Sequence, residues 1–407
     1  MAGFHNSMGE GHSLAWATVV VALALIAAGC KNPAAGEGSS NLGGGGLDSA
    51  DGGANSAGMP SNTGGGPRDP DPRLLELTHV VSISTNGLIT CVAREGGDVM
   101  CWRGSRETDD DEVPLPPIPV AAAITIPGIA DALQVSVGAN HACARTRASR
   151  IWCWGGNQAG QLGLGFASEE VVTEPIEVPD LSDVIAVAAG GGQTCVIVGG
   201  GELYCWGEAW GEAYAPLATP TYQGIDNAVE LSVGSAACVR MKGDTGLCLG
   251  LGAGSFFRGG PEDDIISISD GGLHRCIVRS SGVAECWGSL APPGVLGRTG
   301  DPAVPAPVAG LDNAVKIAAG GFRTAALRTD GTMSVWGQFG EPPPCPRRVS
   351  SEVVEGLTGV VDISPGATTT CALLDNGTVK CFGMGLLGND TMPNLSCDPT
   401  PVMMLPP

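Results

Sequence analysis

Six times along this chain a cysteine is followed ten positions later by a second one: Cys91/Cys101, Cys143/Cys153, Cys195/Cys205, Cys238/Cys248, Cys276/Cys286 and Cys371/Cys381. A seventh segment of the same pattern, AAGGFRTAALRTDGTMSVWG, carries Ala325 and Val335 in the cysteine positions. Successive first positions are separated by 52, 52, 43, 38, 49 and 46 residues, and a period of this size marks a solenoid or a propeller. The pair midpoints fall on turn residues, as in Glu95-Gly96-Gly97, Gly199-Gly200-Gly201, Ser280-Ser281-Gly282, Thr329-Asp330-Gly331 and Asp375-Asn376-Gly377. Glycine third in a three-residue loop suits a type I turn with a G1 bulge, because that position has positive φ. Each pair therefore belongs on two antiparallel strands, with a register that sets its members face to face. They come within disulfide reach if the pair is of the non-hydrogen-bonded kind.

The remaining cysteines complete the arithmetic. Cys30 stands alone near the N-terminus, and Cys345 with Cys397 are left over in late loops of neighbouring repeats, which accounts for all 15. Even pairing argues for disulfides and an oxidising compartment, whereas the spacing and the five histidines match no zinc motif. On the chain-entropy account each small loop contributes roughly 2.5 kcal/mol. Cys345 and Cys397 could bridge the last two repeats. Composition agrees with a β-rich fold: 64 glycines and 30 prolines break long helices, and 43% apolar residues suffice for a core.

Each unit opens with a short alternating strand, such as Val135-Ser136-Val137 or Ile266-Ser267-Ile268, and most then reach small residues, as in VGAN, AAGG or SDGG. After the second cysteine position comes a tryptophan (Trp102, Trp154, Trp206, Trp287, Trp336), replaced by Leu249 and Phe382 in two units. It reads as a wedge between adjacent sheets. In the second unit the tryptophan leads into CWGGNQAGQLGLG and then a proline-led strand, Glu174-Pro175-Ile176-Glu177-Val178. This combination resembles the repeat of the regulator of chromosome condensation family, over roughly Pro72 to Pro407. The resemblance implies an all-β fold, a seven-bladed β-propeller over 73–407 that closes in a circle with only short strand edges exposed. The fourth unit is degraded: it has one residue fewer before Cys238, no tryptophan, and almost no outer segment between Phe257 and Ile265. The tail Thr400 to Leu405 reads as an outer strand of the last blade and Pro72 to Leu77 as another copy, so either could complete a blade at the seam.

The N-terminal part has a different character. Leu14 to Ala28 is an uncharged apolar run, short for a membrane span and of the length of a signal-peptide core. Ala27-Ala28-Gly29-Cys30 resembles a bacterial lipobox, which implies a signal peptide over 1–29 and a lipidated Cys30. The alternatives are a simple cleaved signal or an N-terminal anchor helix. From 30 to 72 the chain is Gly/Ser-rich, with GGGG at Gly43 to Gly46, and cannot form a core. As a disordered tether of about 40 residues it would span roughly 35 Å. The expected location is a bacterial cell envelope, facing periplasm or cell surface.

The formal charge of −21 and the lack of a Lys/Arg stripe exclude nucleic acid as the expected partner. No G-x-S-x-G elbow, H-E-x-x-H or P-loop is present, and no cofactor or metal is expected. His141 and His274, at matching places before a cysteine, read as structural rather than catalytic. Asp109-Asp110-Asp111-Glu112 and Glu262-Asp263-Asp264 lack the alternation of a calcium loop and read as solvated acidic loops. Family members act by binding macromolecules through the propeller faces; one is an exchange factor for a small GTPase and another a secreted inhibitor of β-lactamases. An exchange role conflicts with export. Aromatics that depart from the repeat, Trp210 and Tyr214 in the third unit and Phe256 and Phe257 in the fourth, with Arg258, suit an anchor for a protein or envelope-polymer partner. They could equally fill space left by the degraded blade. The expected function is thus a lipid-anchored binding module without catalysis, the alternatives being an envelope hydrolase or lyase with carboxylates near the channel or, by family analogy, a guanine-nucleotide exchange factor-like regulator.

Overall fold

A strand that alternates apolar and small polar residues can bury one face and still bond its neighbour, and seven such strands recur. In the computed structural model they are Val80–Thr85, Ala132–Val137, Val184–Gly190, Ala228–Val233, Ile265–Asp270, Ala314–Ala319 and Val360–Pro365. The structure describes residues 75–103, 123–208, 216–250, 264–292, 294–338, 348–367, 369–384, 387 and 395–404. Each of the seven strands opens an antiparallel meander of four strands, except in the fourth, where three are described. The meanders are the blades of a seven-bladed propeller, numbered here in chain order, and the opening strands line its channel. No helix occurs among the described residues.

The seam is closed without exchanging a strand between blades. Blade seven takes its outer strand, Leu395–Pro401, from the C-terminal tail, and all four strands of blade one come from its own repeat. Leu75–Glu76 pairs antiparallel with Met403–Met404, Met404 bridges Ala123, and the Leu77 amide donates to the Val402 carbonyl at 2.8 Å. Both terminal segments are used, each in part as expected.

The cysteines face each other in all six pairs, with Cα–Cα distances from 3.9 Å for Cys238/Cys248 to 4.2 Å for Cys91/Cys101 and sulfurs at bonding distance. Ala325 and Val335 hold the same register in blade six. Cys30 and Cys345 lie outside the described residues, as does the Cys397 side chain, so the proposed Cys345–Cys397 bridge does too.

Every pair is closed by a three-residue loop with its last residue at positive φ: Gly97, Gly201, Gly282, Gly331 and Gly377 and, without glycine, Ser149 (φ 57°) and Asp244 (φ 60°). Blade four departs from the expected type I turn, because Gly243 before Asp244 also has positive φ (93°). The carbonyl of the last loop residue accepts the amide that opens the next blade, as in Ala132 to Gly97 at 2.8 Å, Val184 to Ser149 at 3.0 Å and Val80 to Gly377 at 2.9 Å. The turn thus fixes a hairpin and docks its neighbour. Ser149→Gly is expected to raise stability by about 0.5–1 kcal/mol, since relief of the αL strain exceeds the added chain entropy. Urea denaturation measures it, and no gain in midpoint would show that the serine is unstrained.

The wedge residues pack one blade back. Trp154 clusters with Cys91 and Cys101, Trp206 with Cys143 and Cys153, Trp287 with Cys238 and Cys248, Trp336 with Cys276 and Cys286, and Trp102 with Cys371 and Cys381 across the seam. The two replaced wedges follow the same rule: Leu249 lies against Cys195 and Cys205, and Phe382 against Ala325 and Val335. Because the register of Ala325 and Val335 matches that of the bridged pairs, Ala325→Cys with Val335→Cys should form a seventh disulfide. The expected gain is about 2.5 kcal/mol. Free thiols in the folded double variant would contradict the shared geometry.

Candidate binding surfaces around the channel

An innermost strand is a sheet edge, and its inward N–H groups need partners. Here they are supplied by the blade before. Ser82 and Ser84 Oγ accept from the amides of Val135 and Val137 at 3.2 and 3.0 Å, and Ser136 Oγ from Ala189 at 2.8 Å. Ser267 and Ser269 serve Ile317 and Ala319, Ser364 serves Thr85, and Gln134 accepts from Val187. Between blades four and five the work falls to Glu230, which accepts from Ile268 and Ser267, and to Ser232, which accepts from Asp270. Blade three offers only Ala186 and Ala188 at these positions, while blades six and seven are joined by Lys316 and Asp362 at 2.6 Å. The sequence shows these residues as strand alternation, but not their targets, which lie in the next repeat.

The carboxylates of the innermost strands are therefore committed. Besides Glu230, held also by Arg240 at 2.9 Å, and Asp362, there is Asp270, a fully buried side chain that meets Arg275 Nε at 3.2 Å and accepts from the Gly272 amide at 2.7 Å. Burial raises the Asp270 pKa against the pull of Arg275. No cluster of three metal-ligating side chains occurs among the described residues. Of the two acidic loops, only Asp264 is described, paired with Arg279 at 2.7 Å.

His141 and His274 are structural in this geometry. Their Nε2 atoms lie 2.8 and 2.7 Å from the hydroxyls of Thr194 and Thr324 in the following blade. Those hydroxyls donate to the carbonyls of Gln161 and Val295, so each imidazole is the neutral Nε2–H tautomer. Trp206 Nε1 also donates to Gln161 O, at 2.9 Å, and a Cβ on Gly163 would stand 2.8 Å from that nitrogen, so this segment seats the tryptophan of the next blade. Complete burial lowers the two histidine pKa values to about 4 and about 3. Arg323 takes the same place in blade six, where its Nε donates to Gln338 O at 2.7 Å and burial lowers its pKa to about 9.

The channel has two unlike mouths. At one, the turns after the innermost strands form a collar of close backbone contacts. A Cβ on Gly234 would stand 2.6 Å from the Gly272 amide, and one on Gly320 2.6 Å from Gly366 O. In blade one Asn86 replaces the glycine and donates through Nδ2 to Gly138 O at 2.6 Å. The third strands of blades three and four end on this face, at Gly207 and Gly250. Trp210, Tyr214, Phe256, Phe257 and Arg258 follow them in the chain and lie outside the described residues. Their described neighbour Glu208 is half-buried with a pKa raised by that burial, and its carbonyl accepts from Gln193 Nε2.

The other mouth lies among the hairpin turns. All seven innermost strands shift register at their second residue: Val81, Leu133, Ile185, Val229, Ile266, Val315 and Val361. Five of these apolar side chains are 36–49% exposed, while Leu133 and Ile266 are intermediate. Strict alternation would turn these residues to the same face as the buried residue two places on, and the bulge takes them off it.

Family models described as the regulator of chromosome condensation (RCC1) repeat match residues 149–197 and 133–161. A 78-residue stretch is 37% identical to the ultraviolet-B receptor UVR8 of Arabidopsis thaliana, covering 19% of this chain and 17% of that protein. Another, of 136 residues, is 29% identical to the mitochondrial RCC1 domain-containing protein RUG3 of the same plant, covering 32% and 29%. The matched stretches thus span less than a third of these curated relatives. The structure of Prp20p from Saccharomyces cerevisiae, titled with its binding to Gsp1p and histones, superposes with a TM-score of 0.61 at 20% identity, over 77% of this chain and 86% of that one. Residues 133–197 thus match the RCC1 repeat, and the propeller fold is shared with Prp20p.

Proposed function

We propose that this chain is a lipid-anchored extracytoplasmic protein whose propeller binds a protein or envelope-polymer partner and does no chemistry of its own. The observation that carries the reading is the set of six cysteine pairs at bonding distance inside the blades, which suits an oxidising compartment. Cys30 after its apolar run supplies the anchor, and two or more acyl chains hold a protein stably at a membrane. Innermost carboxylates tied up in blade contacts favour binding over hydrolysis. Prp20p binds Gsp1p and histones, and we extend that usage of the fold to this chain. Trp210, Tyr214, Phe256, Phe257 and Arg258 remain the proposed anchor.

Mass spectrometry of the protein purified without reductant tests the compartment and the tether together. Six Cys-x9-Cys linked peptides with an acylated Cys30 are expected. Free thiols would overturn the extracytoplasmic reading, and linked peptides with an unmodified Cys30 would overturn the anchor alone. Partner capture unchanged by Trp210→Ala with Phe256→Ala would remove the aromatic anchor.

A further inference from the structure

We infer that the hairpin face of the propeller docks a cationic polypeptide segment, which lays an apolar side chain into the ring of seven bulge residues at the channel mouth. This rests on the binding-module reading and adds to it a face and a partner chemistry. Scattered exposed valines need no explanation, but seven apolar residues at one register position, five of them more than a third exposed around a single opening, form a patch. Of the seven, Ile266 also packs against the core between blades five and six. In six of the seven strands the next position carries Ser, Gln, Glu, Lys or Asp, and in blade three it is Ala186, so polar residues are compatible with the strand.

Charge selects the occupant. The turns and linkers around this mouth expose Glu95, Asp183, Asp226, Asp312, Asp330 and Asp375. Hydrogen bonds from Thr332 hold the Asp330 carboxyl below its ordinary pKa, so it stays ionised. Arg147 and Lys242 are the exposed cations among the described turn and linker residues, and the Arg147 guanidinium donates to Glu95 O at 2.5 Å. An apolar floor inside an anionic rim concentrates a basic partner and repels acidic polymers.

The test uses the purified full chain and a fluorescein-labelled peptide of alternating lysine and leucine, with lysine–serine and glutamate–leucine peptides as controls. The lysine–leucine peptide should bind tightest. Ile185→Ser with Val361→Ser should weaken it at least about tenfold with the melting temperature kept, whereas Leu88→Ser on the collar face should change nothing. Asp226→Asn with Asp312→Asn should weaken binding and flatten its salt dependence. Equal binding of either control peptide, or an unchanged affinity in the Ile185/Val361 variant, would overturn the inference. Crosslinking to a native partner separates the two levels: a partner mapped only to the collar face overturns this assignment and keeps the binding module, and no partner at all overturns both.

Discussion

Full reduction should unfold the propeller, yet reductant added to the folded protein should do almost nothing. Six small loops at about 2.5 kcal/mol each sum to roughly 15 kcal/mol on the chain-entropy account, as much as the whole stability of a typical domain. That sum is an upper figure, but a third of it would already be a large loss. Access is the second half of the argument. The twelve paired cysteines are buried, most of them completely, with Cys205 at 3% and Cys248 at 5% exposure, so a thiolate must wait for a blade to open. Cys248 is the most exposed of the twelve, so the Cys238/Cys248 bridge should be reached first, followed by Cys195/Cys205, which Leu249 covers in place of a tryptophan. The measurement is circular dichroism and thiol counting in dithiothreitol, with and without a sub-denaturing urea concentration. Slow reduction without urea, first release from Cys238/Cys248, and loss of the β signal afterwards are expected. A fully reduced chain that keeps its native melting transition would show that packing alone sustains the fold.

The parts of this fold that were readable in the sequence are those that each repeat states for itself. A hairpin is announced by ten-residue cysteine spacing and a glycine at the bulge, and seven copies imply closure. What stayed hidden depends on the next repeat. Ser82 and Ser84 look like filler in an alternating strand until Val135 and Val137 are seen to need acceptors. Trp206 reads as a wedge, but its partner disulfide belongs to the preceding unit and its indole bond to the Q-L-G segment of that same unit. Ser149 and Asp244 hide the αL position, because neither residue signals positive φ as glycine does. The apolar ring was concealed by a register shift of one residue, which turns a core position into an exposed one. The aromatic candidates were found by the opposite logic, as departures from the repeat, and so they lie in the most divergent loops.

Acid should destabilise the protein earlier than its carboxylates alone require, through His141 and His274. In the unfolded chain both titrate near about 6.5. In the folded chain burial lowers them to about 4 and about 3, so between these values the unfolded state binds protons that the folded state refuses. Stability therefore rises with pH across this window: it is complete above about 6.5, and it falls as pH drops toward 4, by up to roughly 1.4 kcal/mol per pH unit for each histidine. Asp270 works the other way. Its raised pKa makes the folded state the better proton acceptor at the acidic end, which shallows the fall there. Glutamine is the informative replacement, because blade three already places Gln193 at the matching position and uses its amide to donate. Urea denaturation at steps from about pH 7 to about pH 4 should show the wild-type midpoint dropping and the His141→Gln, His274→Gln double variant staying nearly level. Equal slopes in the two proteins would mean that the imidazoles protonate without leaving their Thr194 and Thr324 contacts, and that the acid response lies elsewhere in the blades.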